Sequence, residues 1–318
     1  MNALTVTANT LPASLQLEAD QAREFIRARH SDATRKAYGS DVLAFKAWAD
    51  QHGLVAAPAA METVVLFITA LAGQGKRPAT IQRKLAAIRH LHRGAGFPSP
   101  TDSEVVTAAM AGIRRVTGVA QRQVAPATGD RVEAMLLTCG DSLGGKRDRA
   151  LLALGFGGAF RRSEIAALRV EDVEINDAGL RVHLRRSKTD QDGAGQVVPV
   201  LDGARISVKA ALADWLAAAK IASGPVFRAV TKTGKVMDNA LTDRSVADIV
   251  KNHASAAGLD ATLFSGHSLR SGFLTTAAAH GASLFKMMEV SRHRKVDTVR
   301  GYVRMADQFK NHAGSAFM

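Results

Sequence analysis

A tyrosine near the end of the sequence combines a reactive side chain with unusual neighbours. The chain of 318 residues contains two tyrosines, and Tyr302 stands between Arg300 and Arg304. A structural ring prefers apolar neighbours, whereas nearby positive charge favours the phenolate and lowers the pKa of a phenol from about 10. Tyr302 is therefore a candidate nucleophile. The plainer alternative is a core aromatic residue beside a basic helix face.

Cationic and imidazole side chains that could serve such a nucleophile lie upstream. Two arginines can neutralise the non-bridging oxygens of a phosphodiester, histidines can act as donors or bases, and a lysine at a hairpin tip can protonate a leaving alkoxide. The candidates are Arg161, Lys188, His267, Arg270 and His293, together with Glu164, which is spaced to orient Arg161 from the same helix.

Each of these pieces is weak by itself. An arginine and a glutamate three residues apart usually form a surface ion pair, a loop lysine is usually solvated, and a histidine at a helix start can simply cap it. Arg162 follows Arg161 directly and leaves the assignment open by one position, although the spacing to Glu164 favours Arg161. No cluster of carboxylates accompanies the cations, so a two-metal nuclease site is hard to build. The sequence predicts no metal and no other cofactor.

The first part of the chain, which must help to position these residues, has the hydrophobic periodicity of a helical domain. Its predicted helices cover Asp32–His52, Pro58–Gly73, Pro78–Gly94 and a fourth segment that Thr101 or Asp102 caps and that ends near Val116. Residues 117–130 are polar, contain glycine and proline, and lack periodicity, which is typical of a linker. We expect a flexible amino terminus at 1–14, a helical domain at 15–117, a linker at 118–130 and a second domain at 131–318.

The second part mixes helices and strands. Helices are predicted at Arg131–Leu137, Arg147–Gly155 and from Arg161 to Leu168. Leu180–Arg185 and Gln196–Leu201 alternate as strands, so we expect a β-hairpin with Lys188 at its polar tip. The remainder is predicted to be mostly helical. The expected fold class is mainly α with a small β-sheet.

Charge and cysteine content limit the partners and the location. The formal net charge is +13, of which +6 falls in residues 1–125 and +7 in residues 126–318. Charge spread through folded sequence suits a surface that follows a polyanionic backbone, although charge alone leaves a merely cationic protein as an alternative. The single Cys139 excludes an internal disulfide, and we expect neither a signal peptide nor a membrane span. We expect a cytoplasmic protein.

The order and spacing of the reactive residues resemble the active-site series of the tyrosine recombinases, the phage integrase family. The matching segments are A-F-R-R-S-E with Arg161 and Glu164, R-S-K-T-D with Lys188, G-H-S-L-R-S-G with His267 and Arg270, S-R-H with His293, and R-G-Y-V-R with Tyr302. The resemblance includes Thr80–Ser103 and covers about residues 15–310. It implies a helical core-binding (SAM-like) domain and a mixed α/β catalytic domain that form a C-shaped clamp on DNA.

The resemblance also implies a role for each residue. Tyr302 would attack the scissile phosphate to give a 3′-phosphotyrosyl bond and a free 5′-hydroxyl. Arg161 and Arg270 would hold the phosphate, and His293 would donate a further hydrogen bond to it. The remaining roles are Lys188 as general acid for the 5′-oxygen, His267 as base or hydrogen-bond partner of Tyr302, and Glu164 as a support for Arg161. Because the phosphotyrosine stores the cleaved bond, rejoining would need neither ATP nor metal.

The partners follow from the same resemblance. We expect double-stranded DNA with an inverted-repeat target site, bound by a monomer or dimer per site and then by a homotetramer, with a tail at residues 306–317 that docks on a neighbouring protomer. No membrane partner is expected. Arg244 resembles the major-groove arginine of the catalytic domain, for which guanine is a natural partner. The other positions expected at a groove or at the backbone are Thr34, Lys36, Arg83 and Lys84.

Two other functions remain open at this point. A sequence-specific DNA-binding regulator could carry these residues as a vestigial site, and a type IB topoisomerase or telomere resolvase uses related strand-passing chemistry. The complete set of reactive residues argues against a vestigial site. We therefore predict a site-specific recombinase that cuts and rejoins DNA in integration, excision or resolution.

Overall fold

The chain divides into two compact units in a computed structural model, which describes residues 12–119, 124–185 and 195–306. The first unit extends from Met1 to Gln121 and the second from Arg122 to Met318. Most of the expected flexible amino terminus, the expected hairpin tip with Lys188 and nearly all of the expected docking tail lie outside the described residues. Within those residues helices predominate, which confirms the mainly α fold class, and none of the helices is long and apolar enough to cross a membrane.

The described residues of the first unit form five helices. These are α1 (Gln16–Ala28), α2 (Asp32–Gln51), α3 (Met61–Gly73), α4 (Pro78–Gly94) and α5 (Glu104–Thr117). The hydroxyl of Ser31 accepts the backbone N–H of Thr34 at the start of α2. Phe45, Ile68 and Ile88 are fully buried in the core of this unit. The predicted helices at α2 and α4 are confirmed to within one residue.

Two predicted helix starts in the first unit were wrong. Helix α3 begins at Met61 rather than at Pro58. Thr101 and Asp102 do not cap α5, because they belong to a short 3-10 turn, and the hydroxyl of Ser103 instead accepts the N–H of Val106. Serine, threonine and aspartate are all good capping residues, so the local sequence could not choose among them.

The described residues of the second unit form eight helices and two small sheets. The helices are α6 (Gly129–Leu137), α7 (Leu143–Gly157), α8 (Arg162–Ala167), α9 (Val208–Ala218), α10 (Asp243–Ala256), α11 (Ser268–Ala279), α12 (Leu284–Ser291) and α13 (Val296–Ala306). One sheet has the antiparallel order β1 (Val173–Asn176), β2 (Gly179–Leu184), β3 (Gln196–Leu201). The other pairs β4 (Arg228–Val230) with β5 (Val236–Ala240), also antiparallel.

The register of β2 and β3 turns one face of the larger sheet towards the core. Leu180 lies opposite Val200 and Val182 lies opposite Val198, and all four side chains are buried. The two predicted strands are confirmed. The described remainder after β3 is mostly helical, as predicted, but strands β1, β4 and β5 were missed. These strands are three to five residues long and none of their residues is buried, so they carry little hydrophobic pattern.

Buried helices hold the second unit together. Residues 150–156 of α7 are all buried, and this helix packs against α9 and α11. The end of the stretch predicted as linker also packs here, since Ala127 is fully buried and donates its N–H to the carbonyl of Ser268. A small separate core of Leu274, Met287 and Val299 joins α11, α12 and α13. The helices around the predicted reactive residues therefore pack as one group.

Candidate active site

Four segments of the second unit bring the predicted reactive residues together. Arg161 directly precedes α8. His267 directly precedes α11, and Arg270 lies in the first turn of that helix. His293 follows α12, and Tyr302 lies on α13. Each of these five side chains interacts with another member of the set. The sixth residue, Lys188, lies outside the described residues.

Arg270 is a fully buried cation at the centre of this cluster. Its Nη1 donates to the carbonyl of Ala159 at 2.8 Å, and its Nη2 donates to the carbonyl of Ser291. Among the described residues its Nε has no hydrogen-bond partner. Burial, together with repulsion from Arg161 and Arg292, lowers the pKa of Arg270 to about 9. The guanidinium remains charged at neutral pH, and a buried positive charge of this kind is stabilised by an anion.

Glu164 links two arginines. Its Oε1 accepts from Nη1 of Arg161 at 2.6 Å, and its Oε2 accepts the backbone N–H of Arg161 at 2.8 Å and Nη2 of Arg292 at 2.7 Å. The spacing predicted the contact of Glu164 with Arg161, and the structure contains it. Arg162 instead pairs with Asp243 of α10 at 3.1 Å, where both side chains are about half exposed. Of the two neighbouring arginines, Arg161 is therefore the one whose side chain lies in the cluster.

Arg292 is a member of the cluster that sequence reasoning missed. Its side chain is 1% exposed, and its Nη1 donates to the carbonyls of Gly158 and Val290. Its guanidinium carbon lies 5.1 Å from the centroid of the Phe160 ring. In the sequence Arg292 belongs to the basic run R-H-R-K, which is typical of a solvated face, so no local signal could have indicated its burial.

Hydrogen bonds determine the tautomer of His293. The hydroxyl of Ser291 donates its one proton to the carbonyl of Met287 at 2.6 Å, so it can only accept from Nδ1 of His293, 2.8 Å away. Nε2 then carries the lone pair, and Nη2 of Arg270 lies 3.3 Å from each of the two ring nitrogens. Burial and the charges of Arg270 and Arg161 lower the pKa of His293 to about 3. At physiological pH His293 is therefore neutral, with Nε2 as an acceptor.

The hydroxyl of Tyr302 lies 3.4 Å from Nε2 of His267. The tyrosine is partly buried, and its ring centroid is 6.4 Å from that of His293. Burial raises the pKa of Tyr302 above 10, and the positive charge of Arg270 opposes this rise without cancelling it. At neutral pH the phenol keeps its proton, and an acceptor must remove it before Tyr302 can act as a nucleophile.

The sequence-based expectation about the pKa of Tyr302 was therefore wrong in sign and in cause. Arg300 lies near Asp297 on an exposed part of α13, with 4.0 Å between Nη1 and Oδ1, and it does not perturb the phenol. The side chain of Arg304 is outside the part of the chain that the structure describes. The cation that acts on Tyr302 is Arg270, which comes from another helix.

Two of the residues expected to contact DNA form ion pairs with a carboxylate inside the first unit. The carboxylate of Asp41, 3% exposed, accepts from Nε of Arg83 at 2.8 Å and from Nζ of Lys84 at 3.0 Å. The side chain of Lys84 is 12% exposed, whereas that of Arg83 is 52% exposed. Arg83 thus offers a solvent-facing cation, and Lys84 mainly neutralises a buried carboxylate.

The other residues expected at DNA are more accessible. Thr34 hydrogen-bonds through its hydroxyl to Ser31 at the start of α2, and Lys36 is exposed one position after Arg35. Arg244 projects from α10 with 89% of its side chain exposed and lies 3.9 Å from Asp248. These positions are free to meet a partner of opposite charge.

The electrostatics of the cluster define what the site can do. Among the described residues it contains the guanidinium groups of Arg161, Arg270 and Arg292, a single carboxylate from Glu164, and His293 in its neutral form. The excess of buried positive charge suits an anion, and a tyrosine hydroxyl with a histidine acceptor lies beside it. Fold and site together place a tyrosine hydroxyl beside a buried cluster of positive charge that an anion would neutralise.

Comparison with known proteins identifies the family. The model of the phage integrase family matches residues 127–308, and that of the phage integrase N-terminal SAM-like domain matches residues 23–96. An integrase/recombinase xerD homolog of Selenomonas ruminantium is 38% identical over 299 residues, 92% of this chain and 87% of that protein. The recombinase Cre of Escherichia phage P1 is 27% identical over a 332-residue alignment, 96% of this chain and 95% of that protein. The chain belongs to the phage integrase family, and it is a tyrosine recombinase.

Solved structures show the same fold. A lambda integrase dimer bound to a COC′ core site matches with a TM-score of 0.59 at 17% identity, covering 89% of this chain and 75% of that one. The Tn1549 transposon integrase in complex with transposon right end DNA matches with a TM-score of 0.57 at 15% identity, covering 90% and 93%.

Proposed function

We propose that this recombinase cuts and rejoins DNA strands at a specific site through a covalent bond between Tyr302 and a 3′-phosphate. The observation that carries the proposal is the position of the Tyr302 hydroxyl, 3.4 Å from a histidine nitrogen and beside the buried guanidinium of Arg270. A phosphodiester would neutralise the positive charge, and the histidine would accept the phenol proton.

The chemistry can be written with each atom accounted for. The phenol proton passes to Nε2 of His267 while the tyrosine oxygen forms a bond to phosphorus. The bond from phosphorus to the 5′-oxygen breaks, and Lys188 supplies the proton for that oxygen. Arg161 and Arg270 hold the non-bridging oxygens as negative charge builds up. Attack by another strand's 5′-hydroxyl reverses these steps, so the cycle requires no ATP and no metal.

His293 has to change its protonation state to fulfil the role expected of it. In the neutral form its single N–H, at Nδ1, is used by Ser291, so it has no free N–H to donate. A phosphate in the site would offset the positive charges of Arg270 and Arg161 and would raise the pKa of His293. Protonated in this way, Nε2 can donate to a phosphate oxygen.

Binding and assembly belong to the same proposal. The dispersed basic charge of both units would bind the backbone of double-stranded DNA, and Arg244 would read a base edge in the major groove. Thr34, Lys36 and Arg83 would contact DNA from the first unit. The target would be an inverted repeat on which four copies of the chain assemble, in the cytoplasm. The lambda integrase match is a dimer on its core site, which supports assembly on DNA.

Covalent capture tests the proposal. Duplexes from the DNA flanking the gene and from a random-sequence pool, nicked so that the cleaved strand is lost, are incubated with the full chain. We expect complexes that survive SDS with the wild type, none with Tyr302→Phe, and an unchanged yield with Tyr38→Phe, the matched control at the other tyrosine.

The other outcomes identify the alternatives. Covalent capture by Tyr302→Phe would show that the nucleophile is misassigned. Tight sequence-specific binding without cleavage under any condition would indicate a DNA-binding regulator. Relaxation of supercoils by monomers, without pairing of two sites, would indicate a topoisomerase-like enzyme.

A further inference from the structure

Arg292 occupies a backbone position that ordinarily favours glycine. Its φ is 58°, in the left-handed region, where a residue with a Cβ atom is strained by about 1 kcal/mol. The side chain that causes this strain is nevertheless buried almost completely and is hydrogen-bonded on both Nη atoms. The backbone conformation at this position would favour glycine. The hydrogen bonds of the side chain are therefore the reason for an arginine here.

Arg292 shares a hydrogen-bond acceptor with each of the two arginines that are proposed to hold the phosphate. Its Nη2 donates to Glu164, whose other oxygen accepts from Arg161. The same Nη2 donates at 3.2 Å to the carbonyl of Ala159, which also accepts from Nη1 of Arg270. Ala159 is itself left-handed, with a φ of 46°, so its carbonyl direction depends on contacts of this kind.

The chain on either side of Arg292 also belongs to the site. The carbonyl of Ser291 accepts from Nη2 of Arg270, and the ring of His293 follows directly. When the Arg292 side chain is anchored to Gly158, Ala159 and Glu164, the turn that carries Ser291 and His293 is fixed to the segment that carries Arg161.

We propose that Arg292 is a positioning residue for strand cleavage, which sets the guanidinium groups of Arg161 and Arg270 through Glu164 and the carbonyl of Ala159. The proposal rests on the proposed function. It differs from a role in stability alone, because a positioning residue acts through Glu164 and affects the chemical step more than DNA binding.

Single-turnover cleavage provides the test, on a nicked duplex selected from a random pool by covalent capture with the wild type. We expect Arg292→Gly to slow cleavage by about 100-fold, since small misplacements of catalytic groups have effects of that size. Arg292→Lys keeps the positive charge but not the planar set of guanidinium N–H donors, and it should slow cleavage by about 10-fold. The affinity for the duplex, measured in a Tyr302→Phe background, should change less than about threefold in both variants.

Lys220→Gly is the matched control for the backbone. Lys220 is exposed and has a φ of 54°, so this variant relieves the same strain at a position away from the site, and cleavage should be unchanged. In a Glu164→Gln background Arg292→Gly should slow cleavage little further, because the two residues act as one unit. Additive effects, or equal losses of affinity and cleavage, would overturn the proposal.

A second readout does not depend on cleavage. The Nε–H group of Arg270 is buried and gives an NMR signal that reports the order of its guanidinium. We expect this signal to broaden or shift in Arg292→Gly and Arg292→Lys but not in Lys220→Gly. An unchanged signal would refute the positioning role. If the wild type attaches to no duplex, the proposed function fails and this signal alone decides the role of Arg292.

Discussion

At the scale of single residues, the site depends on groups whose pKa values are shifted by burial. Tyr302 is harder to deprotonate than a free phenol, and His293 is neutral over the whole physiological range. In the proposed mechanism Tyr302 therefore depends on His267, whose Nε2 is 3.4 Å from the phenol oxygen.

Removal of this acceptor should change the pH dependence of cleavage. Since burial raises the pKa of Tyr302 above 10, loss of the imidazole in His267→Gln should slow cleavage by about 100-fold to 1000-fold at pH 7. The deficit should shrink as the pH approaches 10, because hydroxide then removes the proton. Single-turnover rates across this range measure the effect. His280→Gln, at an exposed histidine that bonds to its own helix, is the control, and a deficit that stays constant with pH would contradict the role of His267.

At the scale of elements, a buried histidine ties α10 to α7 and to the end of α6. Thr138 donates its hydroxyl proton to the carbonyl of Met135, so it accepts from Nδ1 of His253 at 2.7 Å. Nε2 of His253 lies 3.1 Å from a carboxylate oxygen of Asp148. Both ring nitrogens therefore donate, which requires the imidazolium form. The hydrogen bond with Asp148, followed by that with Cys139, raises the pKa of His253 to about 9.

Because of this link, the free energy of unfolding should fall as the pH becomes alkaline. The pKa of His253 in the folded chain lies above its usual value of 6.5, so its stabilisation is complete below pH 6.5 and disappears as the pH rises through 9. We expect the free energy of unfolding to fall by up to about 3 kcal/mol over that range. Asp148→Asn should flatten the profile measured by urea unfolding. His183→Gln, at a partly exposed histidine of the central strand β2, should leave it unchanged. A wild-type profile that is flat from pH 6.5 to 9 would contradict the link.

At the scale of the whole molecule, the 42 lysines and arginines divide into cations that DNA can reach and cations that a carboxylate already neutralises. Arg83 and Lys84 are neighbours in sequence, but the first is half exposed and the second is nearly buried against Asp41. The number of basic residues therefore overstates the number of cations available to a partner.

Salt titration separates the two kinds of cation. Arg83→Gln should reduce the slope of log affinity against log salt by about 1, because one phosphate contact is lost. Lys84→Met should change that slope less and should instead lower the free energy of unfolding by about 1.5 kcal/mol, because the buried carboxylate of Asp41 loses one charge-assisted hydrogen bond but keeps those from Arg83. Filter binding and urea unfolding of the full chain check both results. Equal slopes in the wild type and Arg83→Gln would remove Arg83 from the DNA contacts.

The sequence by itself determined the helices, the hairpin strands and the types and order of the reactive residues. Helix α4 and strand β3 have the predicted boundaries, because their hydrophobic periods and end signals are local. The contact of Arg161 with Glu164 could be predicted for the same reason, since residues three apart are neighbours on one helical turn.

Only the tertiary structure decided how the charges act. Burial of Arg292, the neutral state of His293 and the raised pKa of Tyr302 all arise from residues far apart in sequence, since Arg292 meets Glu164 across 128 positions. Desolvation and the repulsion between clustered guanidinium groups depend on three-dimensional distance, which a linear pattern of arginines does not contain.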